Sequence, residues 1–276
     1  SAIAVVPARA RLPDAVAALA MGYDAEQSVP YGHFVKHQSD SPEDQPWYLH
    51  MLIEERDEET LLRLLKADYK LCRKRDQAFG NTLLHHAVMH NASLGLVDHL
   101  LAEWPAACKE IQDPSNDHVG PTAKPNYCWL PLHVACMSKA HVSVVRRLLE
   151  VYPEACEWAD TLAGELPLHH SLVRGADEAV IDLLLDAYPE AAEKVVANSE
   201  LALHKAVRHC PLPVVAKVLA AFPRAVKQRS YPLDNMTPLE LARERGDAQI
   251  VEAVLAAKKA VDADFKAYVA NLKPPA

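Results

Sequence analysis

The chain has 276 residues, half of them apolar and 24% charged, with a net charge of −8. This is the composition of one large globular domain or two ordinary ones, not of a disordered or fibrous chain. Scarce glycine (8 residues) against 20 prolines disfavours a β-sandwich, no apolar stretch reaches the about 18 residues of a membrane span, and the acidic balance argues against nucleic acid as the main partner.

Residues 1–45 read as an N-terminal arm. Asp14 is placed to cap a short helix over Ala15–Met21. The first thirteen residues carry Arg9 and Arg11 and no acid. That start fits either a trimmed transit sequence of a plastid or mitochondrion, or a cytosolic protein that has lost its initiator Met.

From residue 46 to 258 the chain repeats itself. Leu49-His50, Leu84-His85, Leu132-His133, Leu168-His169, Leu203-His204 and Leu239-Glu240 follow one another at spacings of 35, 48, 36, 35 and 36 residues. About eleven residues after each of these positions stands an apolar pair: Leu61-Leu62, Leu96-Val97, Val144-Val145, Val180-Ile181, Val214-Val215 and Ile250-Val251. A second apolar pair follows four residues later, as in Leu148-Leu149 and Leu184-Leu185. Trp104-Pro105, Tyr152-Pro153, Tyr188-Pro189 and Phe222-Pro223 close four units, and Tyr69 has the same offset without the proline. Apolar residues at i, i+3/i+4 and i+7 mark one helix face. Each unit therefore predicts a short helix after Leu-His, a tight turn, and a second helix stopped by the aromatic-Pro step, because proline lacks the N–H a helix interior needs. A lone pair of short helices cannot bury its apolar face, so the units are expected to stack into one continuous core.

These units resemble ankyrin repeats. The last is nearest the consensus: Asp234-Asn235-Met236-Thr237-Pro238-Leu239-Glu240-Leu241-Ala242, with Gly246-Asp247, and Glu where His usually sits. Pro131-Leu132-His133-Val134-Ala135 and Pro167-Leu168-His169-His170-Ser171, with their Tyr-Pro-Glu-Ala tails, are similar to the divergent repeats of protist and algal ankyrin proteins. The resemblance implies an all-α solenoid of about six helix-turn-helix repeats. It assigns His50, His85, His133, His169 and His204 a structural role, hydrogen-bonding neighbouring loops together. It also implies non-catalytic protein–protein binding through a concave face and hairpin fingers. The alternative is a structural accessory subunit held permanently in a large, possibly organellar, assembly.

The stretched spacing leaves an insertion at 111–127, at the junction that forms a finger in ankyrin proteins. It is either a contact site or a neutral surface loop. Asn126, Tyr127 and Trp129 at this finger are candidate partner-binding residues, with Trp129 equally placed to be buried between units. Four to six residues after the repeat His stands a basic residue: Arg56, His90, Lys139, Arg174, Arg208 with His209, and Arg245. With helices 8–10 Å apart, these would line a ridge of roughly 50 Å suited to an acidic segment of another protein, with Lys139, Arg174 and Arg208 as its central contacts. The competing explanation is that cations at helix C-termini meet the macrodipole.

No catalytic residue, cofactor or metal is expected. His86 and His90 stand at i, i+4 beside His85, the spacing of metal-binding helices, but no H-E-x-x-H is present and the sequence names no third ligand. G-x-S-x-G and both glycine-rich phosphate loops are absent. Acidic pairs such as Glu54-Glu55 and Glu58-Glu59 read as solvated charge in a turn. The cysteines at 72, 108, 128, 136, 156 and 210 stand singly, which predicts an intracellular reducing compartment. Residues 259–276 read as a separate final helix and tail capping the last repeat.

Overall fold

Twelve α-helices account for most of the described residues of the computed structural model, which are 46–76, 79–112, 128–230 and 235–271. The arm, with its expected helix at Ala15–Met21, lies outside them, as do Asn126 and Tyr127 and all but the first two residues of the insertion. No strand occurs among the described residues; Arg75 and Thr82 form one isolated antiparallel bridge. All the described elements belong to one unit, Glu43–Ala276.

The helices come in pairs: α1 (Pro46–Glu54) with α2 (Glu58–Ala67), α3 (Leu83–Met89) with α4 (Leu94–Glu103), α5 (Pro131–Met137) with α6 (Val142–Val151), α7 (Pro167–Arg174) with α8 (Glu178–Ala187), α9 (Ala202–His209) with α10 (Leu212–Ala221), and α11 (Pro238–Arg245) with α12 (Ala248–Asn271). Each odd-numbered helix packs on the next odd one, from α1 through α11, and each even-numbered helix on the next even one. The core between the two layers is built from the repeating apolar pairs. Leu61, Leu96, Val97, Val145, Ile181, Leu184, Val215, Val218, Ile250 and Val254 are all buried.

The punctuation is local chemistry. Trp104, Tyr152, Tyr188 and Phe222 each end their helix with φ between −142° and −149° and ψ between 78° and 83°. A proline then opens a 3-10 turn, where its fixed φ is suitable and no N–H is required. In the first unit Asp68 takes the aromatic position and Tyr69 the proline position, one residue later than the sequence offset implies. There the Asp68 carboxylate accepts from the Lys70 N–H at 2.9 Å and does the ordering a proline does elsewhere. Cys72, Cys108 and Cys156 lie in these 3-10 turns, buried as small apolar residues.

Two boundaries differ from expectation. The Leu-His pairs of α3, α5, α7 and α9 lie inside the first helical turn rather than before the helix. And α12 continues without interruption past Lys258 to Asn271, because nothing resembling the aromatic-Pro stop occurs there. Its continuation is pinned by Lys227, whose Nζ is 2.8 Å from Asp262 Oδ1 and 5.3 Å from the Phe265 ring centroid.

Candidate functional site

The polar groups inside this apolar stack are organised by the repeated histidines. His85 Nδ1 accepts from the Thr82 N–H at 3.2 Å, His133 Nδ1 from Leu130 at 3.3 Å, His169 Nδ1 from Leu166 at 3.3 Å and His204 Nδ1 from Leu201 at 3.1 Å. Each imidazole thus serves as the third-residue acceptor of a capping box, normally a Glu or Gln. That explains why Glu240 can replace it in the last unit, where its carboxylate accepts from the Thr237 N–H at 2.7 Å. The opposite nitrogen reaches the next unit: His85 Nε2 lies 3.1 Å from the Trp129 carbonyl and His133 Nε2 3.0 Å from the Trp158 carbonyl. A backbone N–H only donates and a carbonyl only accepts, so these two rings are neutral with the proton on Nε2. Burial holds His85, His133 and His169 down at about 3. His50 differs in place: it is the fifth residue of α1 and its ring stacks on His86, while its Nε2, like those of His169 and His204, is buried without a hydrogen-bond partner.

The residue after the repeat His carries a second polar layer. His86 and His170 each meet an aspartate ten residues earlier, on the loop leading into their own helix. His86 Nε2 is 2.8 Å from Asp76 Oδ2, and His170 Nε2 is 3.0 Å from Asp160 Oδ2. All four side chains are buried. The loops are shaped around these carboxylates: Asp76 also accepts from the Phe79 N–H and the Asn81 amide, and Asp160 from the N–H groups of Leu162 and Ala163. Burial alone would raise both carboxyls, but the His bond and the loop N–H groups outweigh it and hold them well below the usual carboxylate range.

The two pairs part ways beyond this. Asp160 also receives the Trp129 indole N–H at 3.4 Å, and His170 Nδ1 faces Glu165 at 3.6 Å. Glu165 accepts from Lys205 at 2.7 Å, and Glu200 binds both Lys205 and Arg208. At the other pair, His86 Nδ1 is buried with no hydrogen-bond partner. The His86 ring lies between two others, His50 at 4.0 Å and His90 at 6.0 Å between centroids, all nearly parallel. His90 Nε2 is 4.0 Å from Glu54 Oε1.

The expected partner-binding residues are distributed differently from the sequence reading. Trp129 is only 4% exposed and its indole and carbonyl both serve the junction between units, so it is not a surface anchor. Lys139 is exposed in a left-handed turn at φ 55°. Arg174 Nε donates to the Met137 carbonyl at 2.9 Å, and Arg245 donates to the carbonyls of Val207 and Cys210, so each bonds the C-terminal end of the preceding odd helix. Arg208 bonds Glu200 at 3.1 Å. What the sequence did not single out is a set of exposed apolar side chains on the loops between pairs: Phe79, Trp158, Leu162 and Val195. The loops carrying Leu162 and Val195 are joined by the Ala197 N–H donating to the Ala163 carbonyl at 2.8 Å. Burial pushes the thiols of Cys72, Cys156 and Cys210 up to about 11 and that of Cys108 to about 12. They are thiols, not thiolate nucleophiles, at neutral pH.

An open depression runs along α2, lined by Glu59, Thr60, Leu62, Arg63 and Lys66. No helix among the described residues is long and apolar enough to cross a membrane.

Compared with known proteins, the chain matches no family profile and no curated sequence. Its fold does have solved counterparts. One is a chain from the complex of a predatory endopeptidase from Bdellovibrio bacteriovorus with an immunity protein. The match has a TM-score of 0.57 at 17% identity and covers 75% of this chain and 96% of that one. The helical, repeat-like architecture is therefore shared.

Proposed function

We propose that this chain is an ankyrin-type repeat protein whose work is non-catalytic binding of another protein. In that reading the odd-numbered helices and the loops between pairs line the concave side, and the even-numbered helices form the back. The observation that carries it is the set of apolar side chains left in water on hydrogen-bonded loops: Phe79, Trp158, Leu162 and Val195 are 42–63% exposed. Loops on a rigid scaffold are where recognition residues concentrate, and exposed apolar groups beside polar ones are the makings of an interface. Lys139 and Arg208 add positive charge at the C-terminal ends of odd-numbered helices, suited to an acidic segment of the partner. The fold counterpart agrees in one respect, since it comes from a complex of two proteins.

Crosslinking mass spectrometry on the native source tests this reading. Crosslinks from Lys139 and the 158–165 and 193–200 loops to one partner are expected. Leu162→Glu with Val195→Glu should abolish that complex while leaving the helical signal intact. Crosslinks confined to the outer faces of the even helices, or an unchanged complex in the double variant, would overturn it. A native chain that elutes only in a much larger particle would make it a permanent subunit of an assembly rather than an adaptor.

A further inference from the structure

The first Asp–His pair carries a second inference, independent of the protein-binding reading and contrary to the expectation that no metal is bound. We propose that Glu54, His86 and His90 form a binding site for one divalent transition-metal ion of the zinc type, with Asp76 as a positioning residue.

Four observations converge on it. His86 and His90 stand one turn apart at the end of α3, and stacking of α1 on α3 brings Glu54 to them from 32 residues back in the chain. One ligand atom from each of the three lies within 4.8 Å of the others. Ligands of a tetrahedral ion with bonds of 2.0–2.2 Å stand about 3.3 Å apart, so side-chain shifts of about 1.5 Å or less close the set. His86 is 4% exposed and its Nδ1 has no hydrogen-bond partner, in a place where an unsatisfied polar atom is costly. Its other nitrogen, Nε2, is on the Asp76 carboxylate at 2.8 Å, and Asp76 is in turn fixed by Asn81 and the Phe79 N–H. A carboxylate holding one imidazole nitrogen so that the other faces a metal is the usual outer arrangement of histidine sites. His50, stacked at 4.0 Å on His86, fixes the ring plane.

The buried trio His50, Asp76 and His86 also brings ligand atoms together, but it fits an ion less well. All three side chains are buried, and the Asp76 carboxylate is already taken up by His86 Nε2, the Asn81 amide and the Phe79 N–H. The exposed Glu54 and half-buried His90 instead give an entry path and an open fourth position for water or for a group from a partner. Two imidazoles and a carboxylate suit zinc, nickel or copper better than magnesium or calcium, which prefer oxygen alone.

The test uses the full chain, reduced and stripped with a chelator. Zinc is titrated in competition with a chromophoric chelator, and cobalt(II) is followed by its visible absorption. One ion per chain is expected, with cobalt bands of a nitrogen–oxygen site and no thiolate charge-transfer band. His90→Ala and Glu54→Gln, both near the surface, should each weaken binding about tenfold or more. Asp76→Asn should weaken it by about 10–100-fold. Affinity should also fall as the pH is lowered, because protons compete for the imidazole lone pairs. Substoichiometric binding, a thiolate band, or variants that keep the helical signal and bind as tightly as the parent would overturn the assignment.

Discussion

The two buried Asp–His pairs begin alike and end differently. Both use an aspartate ten residues before the histidine, both shape a loop around the carboxylate, and both bury the contact. Around Asp160 and His170 the polar groups form a closed chain: indole to Asp160, His170 to Glu165, Glu165 to Lys205, Lys205 to Glu200. Around Asp76 and His86 the chain stops at an imidazole nitrogen with nothing to bond, beside two more imidazoles. The same local spacing gives a structural knot in one place and an open ligand in the other: Glu165, on the same loop as Asp160, faces His170 and is held by Lys205 of the next unit, whereas Asn81 stands five residues after Asp76 and the preceding unit brings His50 and Glu54.

Removing the carboxylate from the closed pair should have the largest effect. Asp160→Ala takes a shared acceptor from His170, the Trp129 indole and three loop N–H groups, and each buried donor left unsatisfied costs about 1–3 kcal/mol. Urea unfolding followed by circular dichroism measures it, and a loss below about 1 kcal/mol would mean that the chain is not the knot described.

Acid comes next. His133 and His169 have folded values of about 3, below the unfolded value near 6.5, so between those limits the unfolded chain takes up two protons that the folded chain refuses. Stability from these two groups is complete above pH 6.5 and falls by about 3 kcal/mol per pH unit on the way down to pH 4. The depressed carboxyl of Asp160 adds to the loss only below its unfolded value, in the same direction. Urea midpoints at pH 7, 6 and 5 should fall progressively; a flat series would show that the buried rings are protonated in the folded state.

The comparison is sharpest for the histidines themselves. His170→Leu exposes Asp160 and Glu165 to the loss of a shared partner, whereas His86→Leu discards a ring that already has one unsatisfied nitrogen. In metal-free buffer, His86→Leu should therefore cost about 1–2 kcal/mol less than His170→Leu. Equal costs would erase the distinction drawn between the pairs.

The smallest effect concerns the turn on the helix between them. The helix bearing His170 is capped by Gly175 at φ 62°, but the left-handed turn after α5 falls on Lys139 at φ 55°, a conformation that a side chain adopts only at a cost. Lys139→Gly should stabilise the chain by about 1 kcal/mol in thermal unfolding. If it also weakens partner binding, the charge and not the turn accounts for the lysine.

Much of this was readable in the chain. The period of about 35 residues, the apolar pairs and the aromatic-Pro steps announce the helix pairs and the stops of the second helices, because each is a local signal, while the first helices start a few residues earlier than the Leu-His pairs suggest. The continuation of α12 past Lys258 was misread as a separate cap, since a missing stop leaves no mark in the sequence. Trp129 was legible as a large aromatic at a junction but not as buried, because its burial depends on Asp160, a unit away. The His86–His90 spacing was visible, yet its value lay with Glu54, His50 and Asp76, which a linear reading had no means to set beside it.

The sequence by itself determined that short helices come in pairs and which residues face the apolar core, since proline stops and helical periodicity act over a few residues. Only the tertiary structure decided which buried histidine is satisfied and which is left with a bare nitrogen. Hydrogen-bond saturation is settled by groups some 35 residues apart that meet only when neighbouring helix pairs stack.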